Sequence, residues 1–206
     1  MIKAIRQFSA VTAAMLVSIA PGSTLRGAPP AQNKTAETAR PAPSTTPPAS
    51  AHDGQHDFDF DPGVWRTDIV RRVHPLSGSN ETMHMTGTVT VRKLWDGRAL
   101  VEEIVADGPK GRWEGMTVFL YDPEARQWSM NFASSSVGKM TPPMIGSFQN
   151  GRIQLIGTDT FDGRAVMVRA LWSDITPTSH TYQESVSGDG GTTWIVYFTA
   201  HKTKLQ

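Results

Sequence analysis

The sequence predicts an all-β fold, a closed antiparallel up-and-down barrel of about ten strands with little helix. Three observations lead there. After His56 the chain breaks into short runs rich in Val, Ile, Thr and aromatic residues. Turn-forming pairs separate these runs at hairpin spacing. Several runs alternate apolar and polar residues, as a strand with one dry and one wet face must.

Taken in order, the runs begin near Gly63, Glu81, Arg98, Arg112, Arg126, Pro143, Gly151, Arg164, Ser179 and Thr192. Their dividers are Ser77-Gly78, Asp96-Gly97, Asp107-Gly108-Pro109, Asp122-Pro123, Asn150-Gly151, Asp162-Gly163 and Gly188 to Gly191. Asn-Gly and Asp-Gly reach positive φ at low cost and suit tight type I′ hairpins. The first run opens on Gly63-Val64-Trp65, and Arg66 to Val73 within it superficially mimics a helix. In the second, Met83, Met85, Gly87, Val89 and Val91 share one face, and His84, Thr86, Thr88, Thr90 and Arg92 the other. The last sets Trp194, Val196, Phe198 and Ala200 against Ile195, Tyr197, Thr199 and His201, so both faces are partly apolar. Such a strand belongs to a sheet curled around a core or cavity. An open sandwich is the architectural rival, because hairpin order alone does not establish closure.

The barrel occupies residues 56–206. Ahead of it, Lys3 and Arg6 followed by the apolar stretch Phe8 to Ala20 read as a signal peptide over residues 1–28. That stretch is too short to span a bilayer. From Pro29 to about Ala51, within the linker expected over residues 29–55, the residues are almost all Ala, Pro, Thr, Ser, Asn and Gln. They cannot bury enough apolar surface to offset ordering entropy, so a disordered linker is expected. The implied location is periplasmic or secreted.

The net charge of +1 includes Lys3, Arg6 and Arg26, so residues 29–206 carry −2. A nearly neutral domain has no electrostatic footprint for nucleic acid. The absence of cysteine excludes a disulfide framework, a thiolate zinc site and a cysteine nucleophile. Oligomeric state is not legible.

The segment Phe58-Asp59-Phe60-Asp61-Pro62-Gly63-Val64-Trp65 contains a Gly-x-Trp signature, at Gly63 and Trp65. Beyond it come Tyr121-Asp122-Pro123 leading to Trp128, Gly146 to Gly151, Arg169 to Trp172, and Ser187 to Trp194. Together these resemble a bacterial domain-of-unknown-function family of exported lipocalin-like (calycin-type) β-barrel proteins. The resemblance covers roughly residues 56–204. It implies a lipocalin/fatty-acid-binding-like barrel whose opening Trp65 plugs the closed end, with Lys202 or Lys204 packed across its ring. It implies no activity. More distant similarity to fatty-acid-binding proteins and nitrobindin-type haem barrels frames two ligand classes.

Ser187-Gly188-Asp189-Gly190-Gly191-Thr192-Thr193-Trp194 fits an Asp-box, in which the Asp ties the turn and the Trp packs beneath it. Propellers carry several copies and this chain carries one, so it reads as a hairpin turn. Asp57, Asp59, Asp61 and Asp68 imitate an EF-hand spacing, but Pro62 stands where glycine is required. The expected arrangement packs Phe58 and Phe60 inward and leaves the carboxylates in water. No nucleophile elbow, zinc helix, phosphate loop or dinucleotide fingerprint is present, and no catalytic residue is assigned. Glu102-Glu103 could place one carboxylate inside the barrel as an acid or base.

Arg169 and Glu184 lie in neighbouring strands among apolar residues, so either could project inward. A buried charge needs a partner or a charged ligand, so the two form an ion pair or Arg169 captures a carboxylate. Seven methionines between Met83 and Met167 suit an adaptable cavity or an ordinary core. Lys139 to Ile145 is expected to form a rim or lid.

The leading expectation is therefore a binding module that holds a small apolar or amphipathic ligand without a cofactor. Its site is formed by Trp65, Trp113, Met130, Arg169, Trp172, Glu184 and Tyr197. Three alternatives stand beside it. One is a haem barrel with His180 or His201 as axial ligand. Another is an enzyme acting through Glu102, Glu103 or Glu184, which requires a carboxylic acid shifted upward beside the cavity. The last is a structural or interaction domain without ligand.

Overall fold

A computed structural model describes residues 52–205. The signal-peptide expectation and most of the linker expectation lie outside the described residues. The strands are β1 (Gly63–Arg72), β2 (Thr82–Leu94), β3 (Ala99–Gly108), β4 (Gly111–Asp122), β5 (Gln127–Ser134), β6 (Met144–Gln149), β7 (Arg152–Phe161), β8 (Arg164–Ser173), β9 (Ser179–Ser187) and β10 (Ile195–Lys204). Nine of the ten begin within one residue of the expected position, and β10 begins at Ile195 instead of Thr192. Their order is that of a closed up-and-down barrel, in which β1 pairs antiparallel with both β2 and β10. Closure rules out the open sandwich.

The turns behave as their residues dictate. Asn150-Gly151 and Asp162-Gly163 both adopt positive φ, 52° and 80° in one pair, 49° and 77° in the other. These are the left-handed conformations a type I′ hairpin demands. At Asp189, both carboxylate oxygens accept from the Thr193 amide or hydroxyl, and Ser187 donates to Oδ1 at 2.7 Å. The Asp-box motif is thus a tied hairpin turn.

Alternation sets the interior. On β2 the buried residues are Met85, Val89 and Val91, all from the expected inner face. Gly87 shares that face, and a Cβ placed there would lie 2.1 Å from the Val105 carbonyl oxygen. Its missing side chain lets β2 and β3 bend closely together. On β10 the alternation breaks: a register shift between Val196 and Phe198 sends Tyr197 inward along with Phe198 and Ala200. The bulge accounts for the apolar residues on both faces of that run.

The end of the barrel where β1 starts is filled. The segment from residue 52 to 62 folds across it and inserts Phe58, 1% exposed, between Phe119, Trp128 and Trp172 at centroid distances of 5.0–5.1 Å. Trp65 is fully buried and donates from Nε1 to the Asp61 carbonyl at 2.7 Å. Lys204 takes the expected place over its ring, 5.0 Å from the centroid. Lys202 instead points into the barrel.

The linker expectation ran to residue 55, yet Gly54 is buried and its carbonyl accepts from Trp128 Nε1 at 2.8 Å. Two carboxylates of this segment, Asp57 and Asp61, also differ from expectation, while Asp59 stays exposed. Asp61 is fully buried, and Asp57, almost entirely covered, receives the Phe148 amide at 3.1 Å. Asp59 pairs with Lys93 at 2.6 Å. The three diverge to separate partners and do not converge on a common centre.

Because Phe58 is the wedge between three aromatic rings, truncating it leaves a cavity that rigid β-strands cannot collapse into. Phe58→Ala should cost about 3–5 kcal/mol, measured by urea unfolding with tryptophan fluorescence. A cost under about 1 kcal/mol would show that the segment does not hold the floor.

Candidate functional site

Above the plugged floor the barrel is hollow. A cavity of about 260 Å³ occupies the half nearer the loops that follow β1, β3, β5, β7 and β9. Its wall is largely aromatic and thioether: Trp113 from the start of β4, Phe132 and Met130 from β5, Trp172 from β8, and Tyr197 and Phe198 from β10. Thr141, Pro142 and Met144, from the stretch expected to form a rim, also face it. Thr141 is tied down there, its Oγ1 accepting from the Phe132 amide at 2.9 Å.

Two polar groupings interrupt the apolar wall. On one side Glu184 of β9 accepts hydrogen bonds from the hydroxyls of Tyr182 and Tyr197, one on each carboxylate oxygen. Enclosure raises the Glu184 carboxyl above the usual carboxylate range, although both hydroxyls and the Arg71 charge oppose the shift. Burial pushes both phenols well above their ordinary value, with the Glu184 charge adding to it, so both stay protonated donors. Arg71 and Asp159 flank this group. Toward the floor, Lys202 Nζ bonds Glu102 Oε2 at 2.6 Å, and Thr117 donates to the other Glu102 oxygen at 3.3 Å.

Of the residues expected at the site, Trp113, Met130, Trp172, Glu184 and Tyr197 come together around the cavity. Trp65 and Arg169 do not. Trp65 lies in the packed floor. Arg169 is a correction: it stands on the outer wall with its guanidinium 4.5 Å from the Trp194 ring centroid. Alternation forbids any other outcome, since Val168, Ala170 and Trp172 are the inward residues of β8 and Arg169 lies between them. No Arg169–Glu184 ion pair forms.

Both haem candidates are corrected as well. His201 is exposed on the outer wall, where its Nδ1 lies 3.2 Å from the Thr181 hydroxyl. His180 is buried below the cavity, edge-on to Phe60 and Trp65, with Nε2 3.4 Å from Asp61 Oδ1. Neither presents an imidazole to the hollow. Glu102 faces inward and Glu103 outward, where it pairs with Arg92 at 3.3 Å.

Sequence reasoning missed Arg71, Tyr182 and Lys202. The signal for Arg71 was available: counting by twos from the inward Trp65 along β1 passes Thr67 and Ile69 and reaches Arg71.

Three comparisons place this geometry among known proteins. No family model matches the chain, and no curated protein matches it. Among solved structures, the S-type phycobiliprotein lyase CPES from Guillardia theta superposes with a TM-score of 0.52 at 12% identity, covering 74% of this chain and 92% of that one. The two share a β-barrel fold. A redesigned β-barrel, mFAP0, bound to DFHBI, is also similar, with a TM-score of 0.40 at 12% identity over 70% of this chain and 99% of that one.

Beneath the cavity, Asp61, His180 and Lys202 form a buried polar cluster. Both Asp61 oxygens, both His180 ring nitrogens and Thr67 Oγ1 lack a hydrogen-bond partner among the described residues. Burial lifts the Asp61 carboxyl to about 6 despite Lys202, 3.9 Å away. Burial, with Lys202 and Lys204, holds His180 down to about 3.

These shifts act on stability in opposite senses. The folded chain keeps the Asp61 proton above its ordinary value of 3.8, so the cost of a buried carboxylate appears as pH rises toward 6. Unfolding lets His180 take up a proton below its ordinary 6.5, so its contribution is full above that pH and is lost as pH falls toward 3. Asp61→Asn removes only the first. The variant should gain stability relative to the parent as pH rises from about 4 to about 7, by on the order of 3 kcal/mol. Urea unfolding at both pH values measures this, and a difference that does not change with pH would refute the assignment.

Proposed function

We propose that this chain is an exported small-ligand-binding barrel of the lipocalin-like kind, which takes an apolar or amphipathic molecule into the hollow above the plugged floor. The observation that carries the reading is the cavity itself: about 260 Å³ enclosed by a closed sheet and walled by aromatic and methionine side chains. Apolar pockets with a few converging polar groups are where soluble proteins hold small molecules. A purely structural barrel gains nothing from an unfilled interior, since each missing contact costs dispersion energy.

The volume bounds the occupant. It falls just under the roughly 300–1,000 Å³ of pockets for drug-sized ligands. A molecule of one or two rings suits it better than a tetrapyrrole. The phycobiliprotein lyase supports the fold alone. Export, and membership of the exported domain-of-unknown-function family, rest on the sequence: the charged and apolar start, the Ala/Pro/Thr-rich stretch after it, and the Gly63-x-Trp65 opening.

Filling the hollow tests the reading. Ala200 is buried on β10 and lines the cavity. Ala200→Phe should weaken binding of a neutral aromatic probe, followed by tryptophan fluorescence, by roughly tenfold or more. Met116→Ala, on the outer wall at 40% exposure, should leave it unchanged. Equal binding by both variants would move the probe's site outside the barrel and sink the proposal.

A further inference from the structure

The polar groups around the hollow differ in how their charges are met. Lys202 and Glu102 are paired at 2.6 Å. Asp159 accepts the Thr160 amide at 2.7 Å. Arg71 lies one residue from the end of β1, beside the loops at the cavity's end. Neither Asp159 nor Glu184 forms an ion pair among the described residues, and Glu184 is the one whose side chain is held by other side chains of the cavity wall. Glu184 is partly buried, lines the hollow, and has two neutral hydroxyls as its partners. Arg71 exerts its charge from a distance and forms no ion pair with it among the described residues. An enclosed carboxylate held only by neutral donors lacks the cation that would offset its desolvation.

The balance of charge points the same way. With Glu184 ionised, the cavity wall holds Arg71 and Lys202 against Glu102, Asp159 and Glu184, an excess of one negative charge, and a cation bound beside Glu184 favours that ionised form against the upward pull of burial. Around that excess stand the faces and edges of Trp113, Phe132, Phe161 and Phe198, the kind of surface that favours a desolvated organic cation. Both Glu184 oxygens keep a free lone pair after the tyrosine bonds, so each can accept from an ammonium group.

Resting on the small-ligand reading above, we infer that the cavity selects a small organic amine: an ammonium or amidinium group bonded to Glu184 between Tyr182 and Tyr197, with an apolar, aromatic-sized body against Trp113 and Phe198. This reverses the polarity of a fatty-acid site, in which an interior arginine captures a carboxylate. The tyrosine hydroxyls orient Glu184, and Asp159 adds a second negative charge to the same region.

The test compares three probes with one phenyl ring and one short chain: phenethylamine, phenethyl alcohol and hydrocinnamate. Each is titrated at neutral pH into the full chain and into Glu184→Gln, by calorimetry and tryptophan fluorescence. In the parent protein the amine should bind about tenfold more tightly than the carboxylate, with the alcohol between them. Glu184→Gln should bring the amine to the level of the alcohol, erasing the roughly tenfold preference for the amine over the carboxylate. The parent ranking decides the matter even if the variant does not fold.

A carboxylate that equals or exceeds the amine would overturn the inference and transfer the anchoring role to Arg71. An amine preference that survives Glu184→Gln would overturn it too. In both cases the alcohol still binds and the small-ligand reading stands. If no probe binds, alcohol included, that reading fails and takes the inference with it.

Discussion

The hydrogen-bonded seam between β1 and β10 is the constraint on which the rest depends. It runs from Trp65 opposite Lys204 to Arg71 opposite Phe198, and it turns a ten-strand meander into a ring without edges. A ring of that size has an interior problem. About eight strands enclose a space that their own side chains can fill, and diameter grows with strand number. Ten strands enclose more, so the extra volume must be plugged by another segment or left hollow. This protein does both: residues 52–62 plug one end, and the other end stays open inside.

The plug explains the unusual chemistry of the floor. To reach the aromatic wedge position with Phe58, the chain must carry Asp61 inside with it just before β1 begins. The interior answers with Lys202, one strand-step inward from Lys204, and Lys202 in turn is shared with Glu102. Buried groups of this kind seldom increase stability, and they can fix register. A one-residue slip of β10 against β1 would put Lys202 outside and leave Asp61 and Glu102 unpaired. The same lysine and glutamate form the lower boundary of the cavity, so the device that seats the plug also gives the hollow a polar base.

Most of the fold was legible from the sequence because its signals are local. Asn150-Gly151 and Asp162-Gly163 impose their turns whatever surrounds them, and the Met83-to-Val91 alternation states which face is dry. The site was legible only in part. Trp113, Met130, Trp172, Glu184 and Tyr197 line the cavity as the sequence suggests, but Arg169 and Trp172 are three residues apart on β8 and so face opposite ways, which places Arg169 on the outer wall. Arg71 was hidden by its neighbour Arg72, which makes that end of β1 look like surface. The bulge at Val196–Phe198 and the burial of Asp61 depend on contacts between residues far apart in the chain, which no local pattern encodes.

The central claim is that a closed barrel leaves an apolar hollow above an aromatic floor. A crystal structure of the protein pressurised with xenon tests it most directly, because xenon enters empty apolar space and is displaced from packed or strongly hydrated regions. The account predicts xenon inside the barrel beside Trp113, Met130 and Trp172, with Phe58 wedged below. An interior closed up by inward-turned side chains, with xenon bound only on the outer wall, would contradict it.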